Sequence, residues 1–567
     1  MKVKKIISFI VISVIFLSSA GRILAQDISC ISCHLTEPKN KTFHKINGQS
    51  EYAVGIMDKG QIANNSFNYG EIANFLATGM KNGGHWPRSA DFERQYFFGL
   101  GLLVAINEHN VISTATQMTS TIQDWLPPDN SLGLYYSGDK TASDGTPFQA
   151  TSDLEDTWLY GYNNGDLWVD DPTTRYWPGH YRIDTQHPDF PNTLVEHEGR
   201  FTSDRDIYAV YNDHYNTKGE VGITVEQTGY SYGRPYAEDF LFFELKIHNT
   251  SAVNLDSVYI GLYSRMRPDF DNKDYVHFED SDNDGKKDLI ITYDVNNYAN
   301  QTSWSKSSYK DPMGMVGLRI YDTPMNMGVT DFHHFAKEYS PLSDEELWAL
   351  MTSKKDNSSL EYSLDCYFHG DNQKIDDTSE EHRGDYYPES LNEDVTPPFS
   401  QMEEGAGVNT IVSVGPFTLS ADSMVVLSFG LIMGNSGKVF NEPDFSDLNK
   451  NVQSANEMYK NYFLGYSAPD APKVSGVSGD ESATLYWSAD PSEFSKDDAT
   501  GLIDFEGYKI FRSDDQGLSW GNPITDANGE IIGYAPIAIY DIVDGVNGID
   551  PAYPQNLGDD SGLAHSF

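Results

Sequence analysis

Acidic side chains recur at every second position in one short segment, Asp280-Ser-Asp-Asn-Asp-Gly-Lys-Lys-Asp288. Oxygen ligands at this spacing can converge on one hard cation, and calcium takes roughly six to eight of them. Gly285 permits the tight turn that such a loop needs. The candidate calcium ligands are the carboxylates of Asp280, Asp282, Asp284 and Asp288 and the backbone carbonyl of Lys286. The alternative is an acidic, solvated turn, because Asp and Asn favour turns without any ion.

This segment departs from the helix-flanked EF-hand loop. Ile291 stands at loop position twelve, where that motif has a bidentate Glu. The flanking residues indicate strands rather than helices, so the segment resembles the calcium loops of β-hairpins in integrin-like repeats. We expect a structural role, in which an ion holds together acids that would otherwise repel one another.

A second segment, Cys30-Ile-Ser-Cys-His34, has the spacing of a c-type haem attachment site. Cys30 and Cys33 would form the thioethers and His34 would be the proximal iron ligand, with His44 as the candidate for the opposite side. The alternatives are a Cys30 to Cys33 disulfide or another thiol role, a zinc half-site, and coincidence. The sequence therefore predicts calcium and leaves a covalent haem open.

Other candidate catalytic groups are weaker. His333 and His334 are adjacent, so on a strand they point to opposite faces and do not readily share one metal. Gly229-Tyr-Ser-Tyr-Gly233 has the Gly-x-Ser-x-Gly pattern, but a strand rather than a helix is predicted to follow it. Asp204 and Asp206 share one strand face and are either a second cation site or a turn. No convincing active site emerges, and the chain is interpreted as leaning away from an enzyme.

The start of the chain and its composition indicate export. Residues 1–25 combine a basic start, a short apolar run and small residues before Ala25, as in a removable signal peptide. No later segment is apolar enough to span a bilayer. The formal charge of -45 argues against binding nucleic acid or an anionic membrane, whereas 39% hydrophobic residues supply folded cores.

Short strand-like runs separated by turn residues predict a mainly β, multi-domain β-sandwich architecture with a few short helices. We expect a CxxCH-containing segment at 26–50, a β-rich main region of two sandwich-like subdomains at 51–466, and a further sandwich at 467–567. Ser343-Asp-Glu-Glu346 has capping-box spacing, and the stretch from Asp447 to Phe463 is a second helical candidate.

The last hundred or so residues resemble a fibronectin type III module. The proline-rich linker Ser467-Ala-Pro-Asp-Ala-Pro472 is followed by Ala483-Thr-Leu-Tyr-Trp487 and by Phe505-Glu-Gly-Tyr-Lys-Ile-Phe-Arg512. The final strands of such a module have no counterpart, so this module is expected to be C-terminally incomplete.

Much of residues 55 to 567 resembles a group of large, uncharacterised exported bacterial proteins whose relatives carry type IX secretion tails. The motifs that carry the resemblance include Gly84-His-Trp-Pro87, Thr202-Ser-Asp-Arg-Asp206, Tyr232-Gly-Arg-Pro-Tyr-Ala-Glu-Asp239 and Asp331-Phe-His-His334. The resemblance implies a secreted or cell-surface location, with no established activity.

Three functions remain open on the sequence. The first is a calcium-stabilised structural or adhesive protein whose partners are other extracellular proteins or glycans. The second is extracellular electron transfer through a haem at Cys30, Cys33 and His34. The third is polysaccharide binding, which the abundance of aromatic residues suggests.

Overall fold

The structure is a computed structural model of the 567-residue chain. The described residues are 8–15, 53–73, 83–88, 94–114, 124–127, 149–160, 175–177, 179, 201–214, 216, 218–266, 268, 274–294, 313–336, 343–352, 367–371, 374–375, 408–437, 442–466, 469–480, 482–497, 502–503, 505–513, 519–525, 531–549 and 556–567.

The chain divides into two compact units, of which the larger comprises residues 42–463. Its first large sheet has eight strands. Their order across the sheet is β14 (Asp274–Glu279), β15 (Leu289–Asp294), β16 (Gly314–Ile320), β21 (Met424–Asn435), β12 (Phe240–Asn249), β11 (Ile223–Ser231), β10 (Arg205–Asn212) and β7 (Ala150–Thr151). All of its pairings are antiparallel.

The second large sheet has ten strands. Their order is β19 (Lys374–Ile375), β18 (Tyr367–Asp371), β17 (Asp331–Ala336), β20 (Val408–Leu419), β13 (Leu255–Met266), β5 (Phe97–Asn107), β4 (Glu71–Ile72), β3 (Asn64–Phe67) and β2 (Val54–Met57), and β6 (Asn110–Ile112) pairs with β5. A separate short pair joins β8 (Leu159–Tyr160) to β9 (Arg175–Tyr176).

The two large sheets enclose the main hydrophobic core. One face of the ten-stranded sheet contributes Leu102 and Ile260, and one face of the eight-stranded sheet contributes Phe243 and Phe429. The rings of Phe243 and Phe429 stack with their centroids 5.3 Å apart. Because side chains alternate between the faces of a strand, each sheet also has an outer face to cover.

One helix packs on each outer face. α1 (Asp344–Thr352) places Leu347 and Leu350 against Tyr263 of the ten-stranded sheet. α2 (Ser446–Lys460) places Val452 and other apolar side chains against Phe240 of the eight-stranded sheet. The Ser343 hydroxyl accepts the Glu346 N–H at 3.3 Å, so the predicted cap of α1 is confirmed. Burial of both outer faces explains the near-continuous burial of strands such as β5.

The smaller unit comprises residues 1–41 and 464–567. Its three-stranded sheet has the order β1 (Ser8–Ile15), β24 (Phe505–Ser513) and β27 (Ala538–Asp541). Strand β1 lies within residues 1–25, which the sequence predicts to be a removable signal peptide, and removal of that peptide would leave β24 paired with β27 in this sheet. Three further pairs are β22 (Val474–Ser478) with β23 (Ala483–Trp487), β25 (Pro523–Thr525) with β26 (Ile531–Tyr534), and β28 (Gly548–Ile549) with β29 (Asn556–Gly558). Trp487, Tyr508 and Ile510 lie in its small core.

The mainly β, multi-domain sandwich predicted from the sequence is confirmed. Besides α1 and α2, the described helical residues form three short 3-10 turns, at Glu155–Thr157, Pro324–Asn326 and Ser492–Phe494. None of the helices in the described ranges has the length and apolarity needed to cross a membrane.

Candidate metal centre

The acidic segment forms the loop of the β14–β15 hairpin, at one edge of the eight-stranded sheet. The last ladder pair, Glu279 with Leu289, is followed by a backbone hydrogen bond of 2.9 Å from Asp288 N to the Glu279 carbonyl. The chain therefore leaves the sheet after Glu279 and returns at Asp288, and the candidate ligands lie from residue 280 to Asp288 itself. The predicted strand flanks are present.

The four predicted carboxylates come together in this loop. One oxygen from each of Asp280, Asp282, Asp284 and Asp288 lies within 4.8 Å of the others, and the four could hold a metal ion. Ligands on a shell of about 2.4 Å around a calcium ion are at most about 4.8 Å apart, so the spacing is compatible with that ion. The Lys286 carbonyl stays a predicted ligand.

Backbone amides fix the exposed half of the loop. Asp280 accepts N–H groups from residues 282, 284 and 285, the last at 2.7 Å, and Asp284 accepts the Lys286 N–H at 2.8 Å. Asn283 and Gly285 have positive φ values of 61° and 91°. This left-handed backbone is what lets alternate residues turn inward, and it explains why Asn and Gly stand there.

An arginine holds the inner half of the loop. Arg319 of β16 lies opposite Leu289 in the ladder, and its guanidinium contacts Asp282 at 3.1 Å and Asp288 at 2.6 Å. Its side chain is only 7% exposed. Burial raises the pKa of the Asp288 carboxyl to about 7, although the Arg319 charge opposes this rise. A calcium ion would bind the deprotonated carboxylate and release the proton.

Arg319 also connects the loop to helix α2. Its Nε donates to the Asn456 side chain at 3.3 Å, and another of its N–H groups donates to the Ile320 carbonyl. The guanidinium lies 4.9 Å from the ring centroid of Tyr321, which stacks on Tyr459 of α2 at 4.4 Å. The sequence does not indicate Arg319, because only the pairing of β15 with β16 brings it to the loop.

A neighbouring turn contacts the loop through Lys286. The ammonium group of Lys286 lies 3.4 Å from the Asn326 carbonyl, in the turn at Pro324–Asn326. Met325 and Asn326 both have φ near 55°. Lys286 therefore directs its side-chain charge to this turn rather than into the carboxylate cluster.

The weaker candidate residues are explained by structural roles or by their place in the sheets. Asp206 accepts backbone N–H groups of Thr202 and Ser203, whereas Asp204 accepts that of Gly233, so the two carboxylates serve different turns. His333 and His334 are both fully buried on β17. Ser231 ends strand β11, and β12 rather than a helix follows, so a nucleophile elbow is not formed there.

The predicted haem residues Cys30, Cys33, His34 and His44 lie outside the described residues. The attachment of haem therefore stays a prediction.

No protein-family model matches the chain, and no curated protein matches it. Among solved structures, one similar chain is a protein from Escherichia coli K12 titled "Putative aldose 1-epimerase". The likeness has a TM-score of 0.21 and 9% sequence identity, and it covers 67% of this chain and 99% of that one. A TM-score this low supports no conclusion about the fold or the activity of this chain.

Proposed function

We propose that the protein is an exported, cell-surface β-sandwich protein with a structural or adhesive role, stabilised by calcium in the 280–288 loop. The convergence of four carboxylates on one point of a hairpin is the observation that supports the proposal. Export and surface location rest on the sequence of residues 1–25 and on the resemblance to exported bacterial proteins.

Calcium is favoured over other metals by the chemistry of the ligands. All four side chains offer hard carboxylate oxygens, without a sulfur or imidazole ligand from a described residue in the group. Magnesium requires a smaller, nearly octahedral shell and gives up its water reluctantly, whereas calcium accepts irregular oxygen cages. A loop with two exposed acids, Asp282 and Asp284, suits calcium better.

The role proposed for the ion is to close the hairpin at the edge of the sheet. Carboxylates within 4.8 Å of one another repel when they are charged, and Arg319 offsets part of that repulsion. A divalent ion bound there ties β14 to β15, and β15 is the partner of β16. Calcium binding thus stabilises the edge of a sheet that would present a surface to other proteins or glycans.

Thermal unfolding with and without calcium tests the site. Calcium at about a hundred times its dissociation constant should add roughly 2.7 kcal/mol to the free energy of unfolding, which raises the melting temperature of a unit the size of residues 42–463 by about 3 °C. The double variant Asp280→Asn, Asp284→Asn should lose this shift, since it removes two of the four carboxylates and neither residue is buried. Asp256→Asn, at an exposed aspartate that accepts the Thr418 hydroxyl, should keep it. An identical melting temperature in calcium and in chelator would refute the calcium site.

Binding assays with and without calcium test the adhesive role. We expect the chain to retain at least one extracellular protein or glycan partner on a glycan array or on intact cells, and to lose affinity in chelator. Glycan binding with no protein partner would favour polysaccharide binding. If the protein binds neither an extracellular protein nor a glycan, a purely structural role would be left.

A further inference from the structure

Arg319 already contacts two of the carboxylates that a calcium ion would need, through the Oδ2 atom of each. Its guanidinium contacts Asp282 at 3.1 Å and Asp288 at 2.6 Å, and these are two of the four carboxylates of the candidate site. Asp280 and Asp284 instead accept backbone N–H groups of the loop. Arg319 thus contacts one buried carboxylate, that of Asp288, and one exposed carboxylate, that of Asp282.

The pair at the inner half is a buried one. The side chains of Arg319 and Asp288 are 7% and 11% exposed. Charges in such surroundings interact more strongly than charges in water, so the guanidinium offsets much of the repulsion between the carboxylates. Without a cation at this position, the charge on the Asp288 carboxylate would be buried and uncompensated.

A guanidinium and a calcium ion that bind the same two carboxylates repel each other. They are both positive, and the side chain of Arg319 is anchored from behind by Asn456 and by the ring of Tyr321. Calcium must therefore draw Asp282 and Asp288 away from the arginine, or move the guanidinium out of the loop. Each cation weakens the binding of the other, and this coupling is reciprocal.

We propose that Arg319 is a built-in counter-cation of the metal loop, which holds the loop closed without calcium and sets the calcium affinity by competing for Asp282 and Asp288. This inference rests on the proposed calcium site and specifies how its occupancy is regulated. Calcium therefore binds this loop more weakly than it would without Arg319, because the metal-free loop already has a stabilising partner.

The test compares Arg319→Gln with wild type in the full-length chain, by calorimetric titration with calcium chloride and by thermal unfolding. We expect the variant to melt at a lower temperature in chelator, because the loop has lost its counter-charge. We also expect its dissociation constant for calcium to be about tenfold lower, within the usual range of coupling between linked sites. The calcium-induced rise in melting temperature should therefore be larger than in wild type.

A matched control is Arg205→Gln. Arg205 is another poorly exposed arginine, with a two-pronged contact to Asp153 and a third contact to Asp58, all away from the metal loop. Its loss should lower the melting temperature in chelator but leave the calcium-induced shift at the wild-type value. A change in calcium affinity in Arg205→Gln equal to that in Arg319→Gln would overturn the inference, because the effect would then be one of net charge.

The remaining outcomes separate the inference from the function on which it rests. If wild type binds calcium and Arg319→Gln binds it equally or more weakly, the competition is refuted while the calcium site stands. If neither protein binds calcium, both are refuted. If only Arg319→Gln binds, the competition is supported in its strongest form. Should Arg319→Gln fail to fold, Arg319→Met removes the same charge and keeps an unbranched side chain, and an affinity no higher than wild type would then overturn the proposal.

Discussion

Asp206 shows how strongly the position of an aspartate in this acidic chain affects its pKa. It is fully buried at the start of β10, and its carboxylate accepts the N–H groups of Thr202 and Ser203 at 2.8 Å. Burial raises its pKa to about 7 in spite of these hydrogen bonds. Because the pKa of Asp in an unfolded chain is about 3.9, the folded protein holds a proton between about pH 4 and 7 that the unfolded chain has lost.

Asp206 should therefore make the protein more stable as the pH is lowered from 7 to about 4. A folded-state pKa above the unfolded value adds stability that is present at low pH and is lost as the pH rises through the folded-state pKa. The effect amounts to at most roughly 4 kcal/mol, at about 1.4 kcal/mol for each pKa unit. Urea unfolding across this range should show a flatter pH dependence in Asp206→Asn than in wild type.

Ser203→Ala keeps the Asp206 carboxyl group and changes its pKa. The Ser203 hydroxyl donates to the Asp206 carboxylate, and its removal should raise the pKa of Asp206 further, so the loss of stability should extend to higher pH. Equal slopes in Asp206→Asn and wild type would show that other groups carry the pH dependence.

The haem prediction can also be tested by changes at single residues. With a c-type maturation system, the exported protein should show a Soret band that survives acid-acetone extraction, and Cys33→Ala should weaken covalent retention. His34→Ala should change the reduced spectrum, and His44→Ala should do so only if His44 is the sixth ligand. A protein without Soret absorbance and with a mass two hydrogens below that of the bare chain would indicate a Cys30 to Cys33 disulfide instead.

The sequence could identify the carboxylates of the metal loop but not their arginine partner. Asp280, Asp282 and Asp284 are local in sequence, so their spacing and the neighbouring Gly285 suffice to predict that they turn toward one point. Arg319 reaches the loop only through the register of β15 with β16, in which it lies opposite Leu289. Strand register depends on long-range packing, and no local pattern contains it.

At the scale of elements, the two helices were predictable as helices but their places were not. The capping spacing at Ser343 and the apolar positions near Val452 are local signals. The face that each helix covers depends on pairings between distant strands, such as β5 with β13 in one sheet and β12 with β21 in the other. These pairings give each sheet an apolar outer face, and one helix packs against each of these two faces.

The close approach of α2 to its sheet depends on Gly434 of β21. A Cβ atom at this position would lie 2.5 Å from the backbone nitrogen and Cα of Leu448, inside the first turns of the helix. Backbone atoms cannot rotate away as a side chain can, so the whole helix would have to shift. Gly434 is thus the point at which helix and sheet make direct backbone contact.

Gly434→Ala should destabilise the larger unit by about 1 to 3 kcal/mol, the usual cost of overpacking a filled interface. Urea unfolding followed by far-UV circular dichroism would measure it. Gly533→Ala in β26 is the matched control, because a Cβ there would meet nothing within 4 Å, and its stability should stay close to wild type. Two variants of equal stability would mean that α2 is free to move outward from the sheet.

At the scale of the whole molecule, the charge of -45 gives calcium two different ways to act. It can bind one site, or it can screen acids over the whole surface as any salt does. The candidate site belongs to the unit of residues 42–463, whereas the other unit, residues 1–41 and 464–567, has a separate core around Trp487. The two mechanisms therefore predict different spatial patterns of stabilisation.

Hydrogen exchange measured by mass spectrometry on the full chain should distinguish them. With site binding, calcium should slow exchange in peptides from β14, β15 and β16, because opening the hairpin would require release of the ion. Peptides from β22, β23 and β24 should exchange at the same rate with calcium and with sodium at equal ionic strength. The Asp280→Asn, Asp284→Asn variant should lose the protection of the hairpin and change nothing else. Uniform protection of both units, retained in that variant, would show that calcium acts by screening and that the loop is an ordinary acidic turn.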